Sequence, residues 1–316
     1  MADKYEIGSY KNGNYTVTLF SDGSRSRETE GSAFIPSFAE TIELKISDKY
    51  DGEHQWFSNS KSDSPRDAKI MENDIEPLPK YLKSIRPFTE VTIDGGYLDH
   101  PEILALLVYL RRKKAVTKII VGQDYFYSKN HLKYHRLLGW QQRGLMSNLG
   151  VILIDSEDTE SLDKLKDFPN STIIADVGMF SGIDLDNLEG RDLNLLIRGY
   201  RVSDNNREFS EKNMQEFEYN RAWLVKTLDS EAIPAFKRIS FDDLALLQLG
   251  IEDTRFTTKD KDNNNLYFGN DGEFSLYIDM VNGEFSSSAY SKERYKIGED
   301  MTSDKMFREI RKRRRV

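Results

Sequence analysis

The chain of 316 residues carries 53 acidic against 45 basic side chains, a formal charge of −8, and no cysteine. Its length is enough for one large core or two modest ones. The missing thiols exclude disulfides, thiolate catalysis, zinc–thiolate sites and thiolate-held iron–sulfur clusters, and the acidic balance speaks against a general nucleic-acid surface, which needs a basic face.

In chain order, residues 6–35 alternate around two turn signals, Lys11–Asn14 and Ser21–Ser24, with Tyr15–Phe20 between them. This predicts a small β-hairpin appendage over residues 1–37. From Thr41 the pattern changes to short β-branched runs separated by helical stretches, the signature of a parallel sheet with crossover helices. Strands are predicted at 42–46, 90–94, 117–121, 150–154, 171–175 and 194–198. Helices are well marked at 101–113 and 129–145, with weaker ones near 74–86, 158–167 and 183–189. Six such units predict an α/β fold with a partial (β/α)6 TIM-like barrel over residues 38–205, in preference to a closed eight-stranded barrel.

The turn-rich Asp204–Arg207 ends that unit. Residues 206–316 are predicted to pack on the barrel as a C-terminal α+β extension: a helix at 210–229, an exposed loop at 257–265, an antiparallel meander at 266–288 and a helix at 302–314. Thr302 can cap that last helix, and Met306, Phe307 and Ile310 give it an apolar side. Its basic end, Arg308 and Arg311–Arg315, either offsets the negative pole of the helix dipole or meets an acidic partner or phosphate backbone. No apolar run is long enough to cross a bilayer, and Met1–Ile7 lacks the apolar core of a secretory signal, so a cytoplasmic location is expected.

Two segments carry a resemblance. Tyr50, His54 and Phe57 stand at the spacing x3 then x2 after the first predicted strand, with Trp56 just before the last of them. Glu90–Asp94 runs into Gly95, Gly96 and Tyr97, then His100 and Pro101. These segments resemble the first strand with its cluster loop, and the second strand with its glycine turn, in radical S-adenosylmethionine (radical SAM) enzymes. In that family the loop reads C-x3-C-x2-C with an aromatic residue before the last cysteine, and the glycine turn receives the amino group of the cofactor's methionine part. Segments 240–249 and 270–285 also resemble the C-terminal part of small radical-SAM-like proteins, including phage-encoded ones, so the resemblance spans roughly residues 38–305.

The resemblance implies a barrel of radical SAM type from which the chemistry has been withdrawn. Phenol, imidazole and phenyl groups cannot stand in for three soft thiolates, and phenylalanine has no lone pair. Tyr50, His54 and Phe57 are thus degenerate cluster positions, with the Phe57 ring expected to fill the space of the cluster. Gly95, Gly96 and Tyr97 are degenerate cofactor-loop positions, because Tyr97 replaces the polar residue expected after the glycines. No cofactor is expected.

In β/α barrels, ligands meet the loops after the C-terminal ends of the strands. Asp48, His54, Asp94, Asp99, His100, Asp124, Asp155, Asp176 and Arg198 fall there and make a crowded, mainly acidic rim. His54, Asp94 and His100 offer a facial triad to a divalent metal. Aspartates after strands also cap the helices that follow, which needs no ligand. Arg198 is expected to pair internally with the rim acids, since an unpaired charge there is costly. His131 and His135 share a helix face at i,i+4 but lack the glutamate of an H-E-x-x-H motif, so they read as surface or packing residues. No P-loop, nucleophile elbow or dinucleotide fingerprint is present. The expected function is therefore a non-catalytic binding or structural role with a protein partner or assembly, phage-accessory or virion-associated by resemblance. The alternative is an enzyme with a divalent metal at the acidic mouth.

Overall fold

The computed structural model describes residues 5–21, 25–31, 34–47, 77–94, 98, 100, 102–153, 155–169, 171–176, 193–198, 222, 236–241, 274–289, 291 and 293–314. Tyr50, His54, Trp56, Phe57, Gly95, Gly96, Tyr97 and Asp99 lie outside them, as do the predicted helix at 183–189 and nearly all of that at 210–229.

The N-terminal segment forms three antiparallel strands, β1 (Glu6–Asn12), β2 (Tyr15–Phe20) and β3 (Arg25–Thr29), one more than the expected hairpin. Period-two alternation along β2 buries Tyr15, Val17 and Leu19 while leaving Thr16 exposed. Gly13 closes the β1–β2 turn at φ +63°, and a Cβ there would lie 1.8 Å from the Ile35 carbonyl oxygen, so only glycine fits. The buried Asn12 ties the turn to the next segment. Its amide donates to the Phe38 carbonyl at 3.0 Å, and its Oδ1 accepts from the Ser37 and Phe38 N–H groups at 2.9 and 3.2 Å.

The remaining strands are β4 (Thr41–Lys45), β5 (Glu90–Asp94), β6 (Val116–Gly122), β7 (Asn148–Ile152), β8 (Thr172–Asp176), β9 (Leu193–Arg198), β10 (Phe236–Phe241), β11 (Ser275–Asp279), β12 (Glu284–Ser286) and β13 (Tyr295–Lys296). They make one mixed sheet in the order β10-β9-β8-β7-β6-β5-β4-β11-β12-β13. Helices α1 (Pro77–Leu82), α2 (Ile103–Arg112), α3 (His131–Gln142) and α4 (Thr159–Asp163) fall between successive parallel strands, and α5 (Ser303–Arg314) closes the chain. No helix among the described residues is long and apolar enough to cross a membrane.

Every pairing from β10 through β4 to β11 is parallel, so the parallel run continues past the six expected strands to include β10 and β11. β11 also forms the expected antiparallel hairpin with β12, and β12 continues to β13. Its second edge lies on β4, which a local alternation pattern cannot show. The parallel strands thus succeed one another across the sheet in chain order, with β11 placed on the other side of β4.

Both sheet faces are buried. One face carries Ile42 and Leu44, Val91 and Ile93, Ile119 and Val121, Leu149 and Val151, and Leu276 and Ile278, all packed into one core with the helices. Helix α2 meets that core through Ile103, Leu106, Leu107 and Leu110, a stripe at helical spacing. α5 adds Met306, Phe307 and Ile310. Each such side chain contributes about 1.5–3 kcal/mol on burial. Among the described residues, the opposite face is apolar along β6 to β9, where Ile120, Ile152, Ile174 and Leu196 form a separate cluster. On β4 and β11 the same face is polar.

Candidate functional site at the strand ends

Parallel register aligns Asp279, Lys45 and Asp94, the last residues of β11, β4 and β5, on neighbouring strands. Because Leu44 and Ile278 point into the helix-side core, Lys45 and Asp279 project from the other face. They are 4% and 5% exposed, and the Lys45 Nζ stands 3.7 Å from Asp279 Oδ2. The carboxylate is held from behind by the hairpin turn. Asn282 donates its backbone N–H to Oδ1 at 3.0 Å and its side-chain amide to Oδ2 at 2.8 Å, and Gly283 at φ +62° completes the reversal.

One row deeper on the same face, the buried Tyr277, Glu43 and Thr92 are aligned across β11, β4 and β5. Arg294 brackets this row: its guanidinium lies 4.8 Å from the Tyr277 ring centre, donates to Ser286 Oγ at 3.2 Å and bonds the Ala289 carbonyl. Buried polar side chains of this kind persist only when they are paired. Their concentration on β11, β4 and β5 makes this the most polar buried surface at the C-terminal strand ends among the described residues.

The other predicted rim residues are dispersed. Gln123, directly after β6, donates to the Asp155 carbonyl at 2.6 Å and to Ser161 Oγ at 2.7 Å, and accepts from the Asp155 N–H at 2.8 Å. This stitches the ends of β6 and β7 together. Asp155 is exposed and accepts the Glu157 N–H at 2.8 Å, while Asp158 caps α4 by accepting from the Ser161 N–H at 3.2 Å. Asp124 is buried in the turn after β6. Asp176 and Arg198 are register partners at the ends of β8 and β9.

Of the proposed triad, His54 lies outside the described residues and Asp94 is placed only as the last residue of β5. His100 is buried at the start of α2, where its Nδ1 accepts the Glu102 N–H at 3.2 Å and its carbonyl accepts the Ile103 N–H at 3.1 Å. Among the described residues no three His, Asp or Glu side chains are grouped to hold a metal ion. His131 and His135 are both exposed on α3, with ring centres 6.5 Å apart. Tyr134, beside them, donates to Asp167 at 2.5 Å; burial and that carboxylate push its phenol up to about 12.

The N-terminal strand ends hold a second and denser polar cluster. Glu40, fully buried just before β4, accepts from Arg27 Nη2 at 2.9 Å, Arg27 Nε at 3.1 Å and Tyr15 Oη at 2.5 Å, with Arg25 Nη1 at 3.4 Å. Arg25 also pairs with Glu90 at 3.0 Å, and the Arg27 guanidinium lies 4.1 Å from the Phe274 ring centre. Burial opposes ionisation of Glu40, but the charges of Arg27 and Arg25 with the hydrogen bonds from Arg27 and Tyr15 override it and hold the carboxyl below its usual range. Tyr15 moves upward, chiefly through burial and then through Glu40. This cluster pins the three-stranded sheet across the starts of β4, β5 and β11.

Lys45, Asp279, Glu43, Tyr277 and the Glu40 cluster are not among the residues that motif spacing selects. The Lys45 signal was present as the alternation Ile42-Glu43-Leu44-Lys45 in a strand of a parallel sheet, which puts charges on the face away from the helices. Asp279 becomes its neighbour only through strand order. Compared with protein-family models and with curated proteins, the chain matches none.

Proposed function

We propose that the chain is a non-catalytic binding protein on a radical-SAM-like β/α barrel that has lost its iron–sulfur chemistry. The order of the parallel strands supports the barrel: β4 to β10 succeed one another in chain order, as the strands of a β/α barrel do, and β11 extends the parallel run beyond β4. The absence of cysteine supports the loss of the cluster.

The observation that carries the binding reading is Lys45, a buried ammonium at the mouth beside Asp279 and in register with Asp94. It supplies internally the positive charge that an acidic mouth would otherwise draw from a metal. A divalent ion bound to the same carboxylates would suffer repulsion from Lys45, in surroundings where water screens little. Such a mouth suits a partner that inserts a polar group able to both donate and accept, meeting Lys45 and Asp279 together. A protein segment meets that description, and the phage-accessory or virion-associated setting is proposed on the resemblance alone.

Elemental analysis of the purified chain and calorimetry with S-adenosylmethionine test the reading. The expected outcome is substoichiometric metal and no saturable heat of binding. A stoichiometric divalent metal that is lost in Asp94→Ala would replace this reading with a metal-dependent enzyme, and micromolar cofactor binding weakened by substitution of Gly96 would replace it with a cofactor sensor.

A further inference from the structure

Helix α3 opens with His131 and carries His135 one turn later, the H-x3-H spacing that puts two side chains on one helix face. Leu137 and Trp140 anchor the helix in the core, so the spacing of the two imidazoles is set by a packed element. Both side chains are exposed, with ring centres 6.5 Å apart and ring planes crossed at 80°. Among the described residues no hydrogen bond occupies either ring.

Their surroundings leave the pair open. The Tyr134 ring meets that of His135 edge-on at 5.1 Å, and Tyr134 is itself packed on Phe126 and Phe168 and tied to Asp167 through its hydroxyl. Cations on the same helix are turned to other groups: Lys133 Nζ lies 4.8 Å from the Tyr125 ring centre, and Arg136 donates to the Leu98 carbonyl at 3.2 Å.

We infer that His131 and His135 chelate one divalent transition-metal ion of the class Cu2+, Ni2+ or Zn2+. Imidazole nitrogen suits these borderline ions, whereas Mg2+ and Ca2+ take oxygen. At a metal–nitrogen distance of about 2.0–2.1 Å, two imidazoles at a tetrahedral angle have ring centres about 5 Å apart. The difference from 6.5 Å is closed by a χ rotation, which exposed side chains make within nanoseconds. Leu132, 70% exposed, stands where an H-E-x-x-H helix has its general base, so the pair holds a metal without making a hydrolytic centre. Two protein ligands leave the other positions of the ion to water, and such a site exchanges its metal and is emptied by desalting. The inference is independent of the reading of the strand ends.

Calorimetry of the chelator-stripped full chain with Cu2+, Ni2+ and Zn2+, each with and without excess Mg2+, tests it. The expected result is one ion per chain with Kd on the order of 1–100 μM, since two ligands hold zinc far less tightly than the four of a structural site. Cu2+ should bind tightest, following the Irving–Williams order, and Mg2+ should not compete. His131→Ala and His135→Ala should each weaken Ni2+ binding at least about tenfold, the lower bound for loss of even an outer-shell partner, and the double variant little further, because a chelate needs both nitrogens. Bound Ni2+ should raise the urea midpoint of the parent chain and of neither single variant, since the unfolded chain does not hold the spacing. Asp94→Ala should leave the site intact, which separates it from a metal at the strand ends. A Kd above about 1 mM for all three transition ions, binding that both single variants leave unchanged, or loss of the site in Asp94→Ala overturns the inference.

Discussion

At the N-terminal strand ends Glu40 is met by Arg27, Arg25 and Tyr15, all within 3.4 Å, whereas at the C-terminal ends Lys45 stands 3.7 Å from Asp279. Both clusters are buried and ionic, but their geometry differs. Glu40 takes charge-assisted hydrogen bonds on both carboxylate oxygens, from residues of a separate sheet that it thereby docks. Asp279 takes its short hydrogen bonds from the Asn282 turn, and Lys45 stands from it at 3.7 Å. Saturation of this kind marks a structural joint.

The contrast can be broken by substitution. Glu40→Gln should have the largest effect, because it leaves Arg25 and Arg27 without their shared anion in a buried place; the expected loss is about 3–5 kcal/mol in chemical denaturation. Leu44→Ala, on the helix-side face between the two clusters, sets the scale for core packing at about 2–5 kcal/mol. Lys45→Met should cost less, about 1–3 kcal/mol, since Asp279 retains both bonds from Asn282. A Lys45→Met loss that equals or exceeds that of Glu40→Gln would erase the distinction between the two clusters.

Acid sharpens the same comparison. Glu40 has a lowered pKa in the folded chain, so its contribution is complete above the unfolded carboxylate value, about 4, and is lost as pH falls through its lower folded value. Urea midpoints measured from neutral pH downward should therefore hold until about pH 4 and then drop. In Glu40→Gln the drop should be shallower, because the proton uptake that drives it is gone. Identical acid limbs in the two proteins would show that Glu40 is not the linked group.

Local patterns revealed much of this fold, for physical reasons that also explain what they missed. The β-branched runs at β6 and β8 and the apolar stripe of α2 depend on neighbours within a few residues, so their periods are visible in sequence. The place of β11 depends on β4, which lies more than two hundred residues away in the chain, and the meander pattern records only its pairing with β12. Among site residues, rim aspartates are visible because they follow strands, yet Asp155 serves the backbone of its own loop. Lys45 and Glu43 sit inside a strand whose pattern is ordinary alternation, and Arg25 and Arg27 meet Glu40 only through the packing of the three-stranded sheet.

The most direct test of the central claim is anaerobic reconstitution of the purified chain with iron and sulfide, followed by absorbance and iron analysis. The account predicts no cluster band and no retained iron after desalting, because the ligand set contains no thiolate. A stable iron–sulfur spectrum with about four irons per chain, the content of a [4Fe–4S] centre, would contradict it.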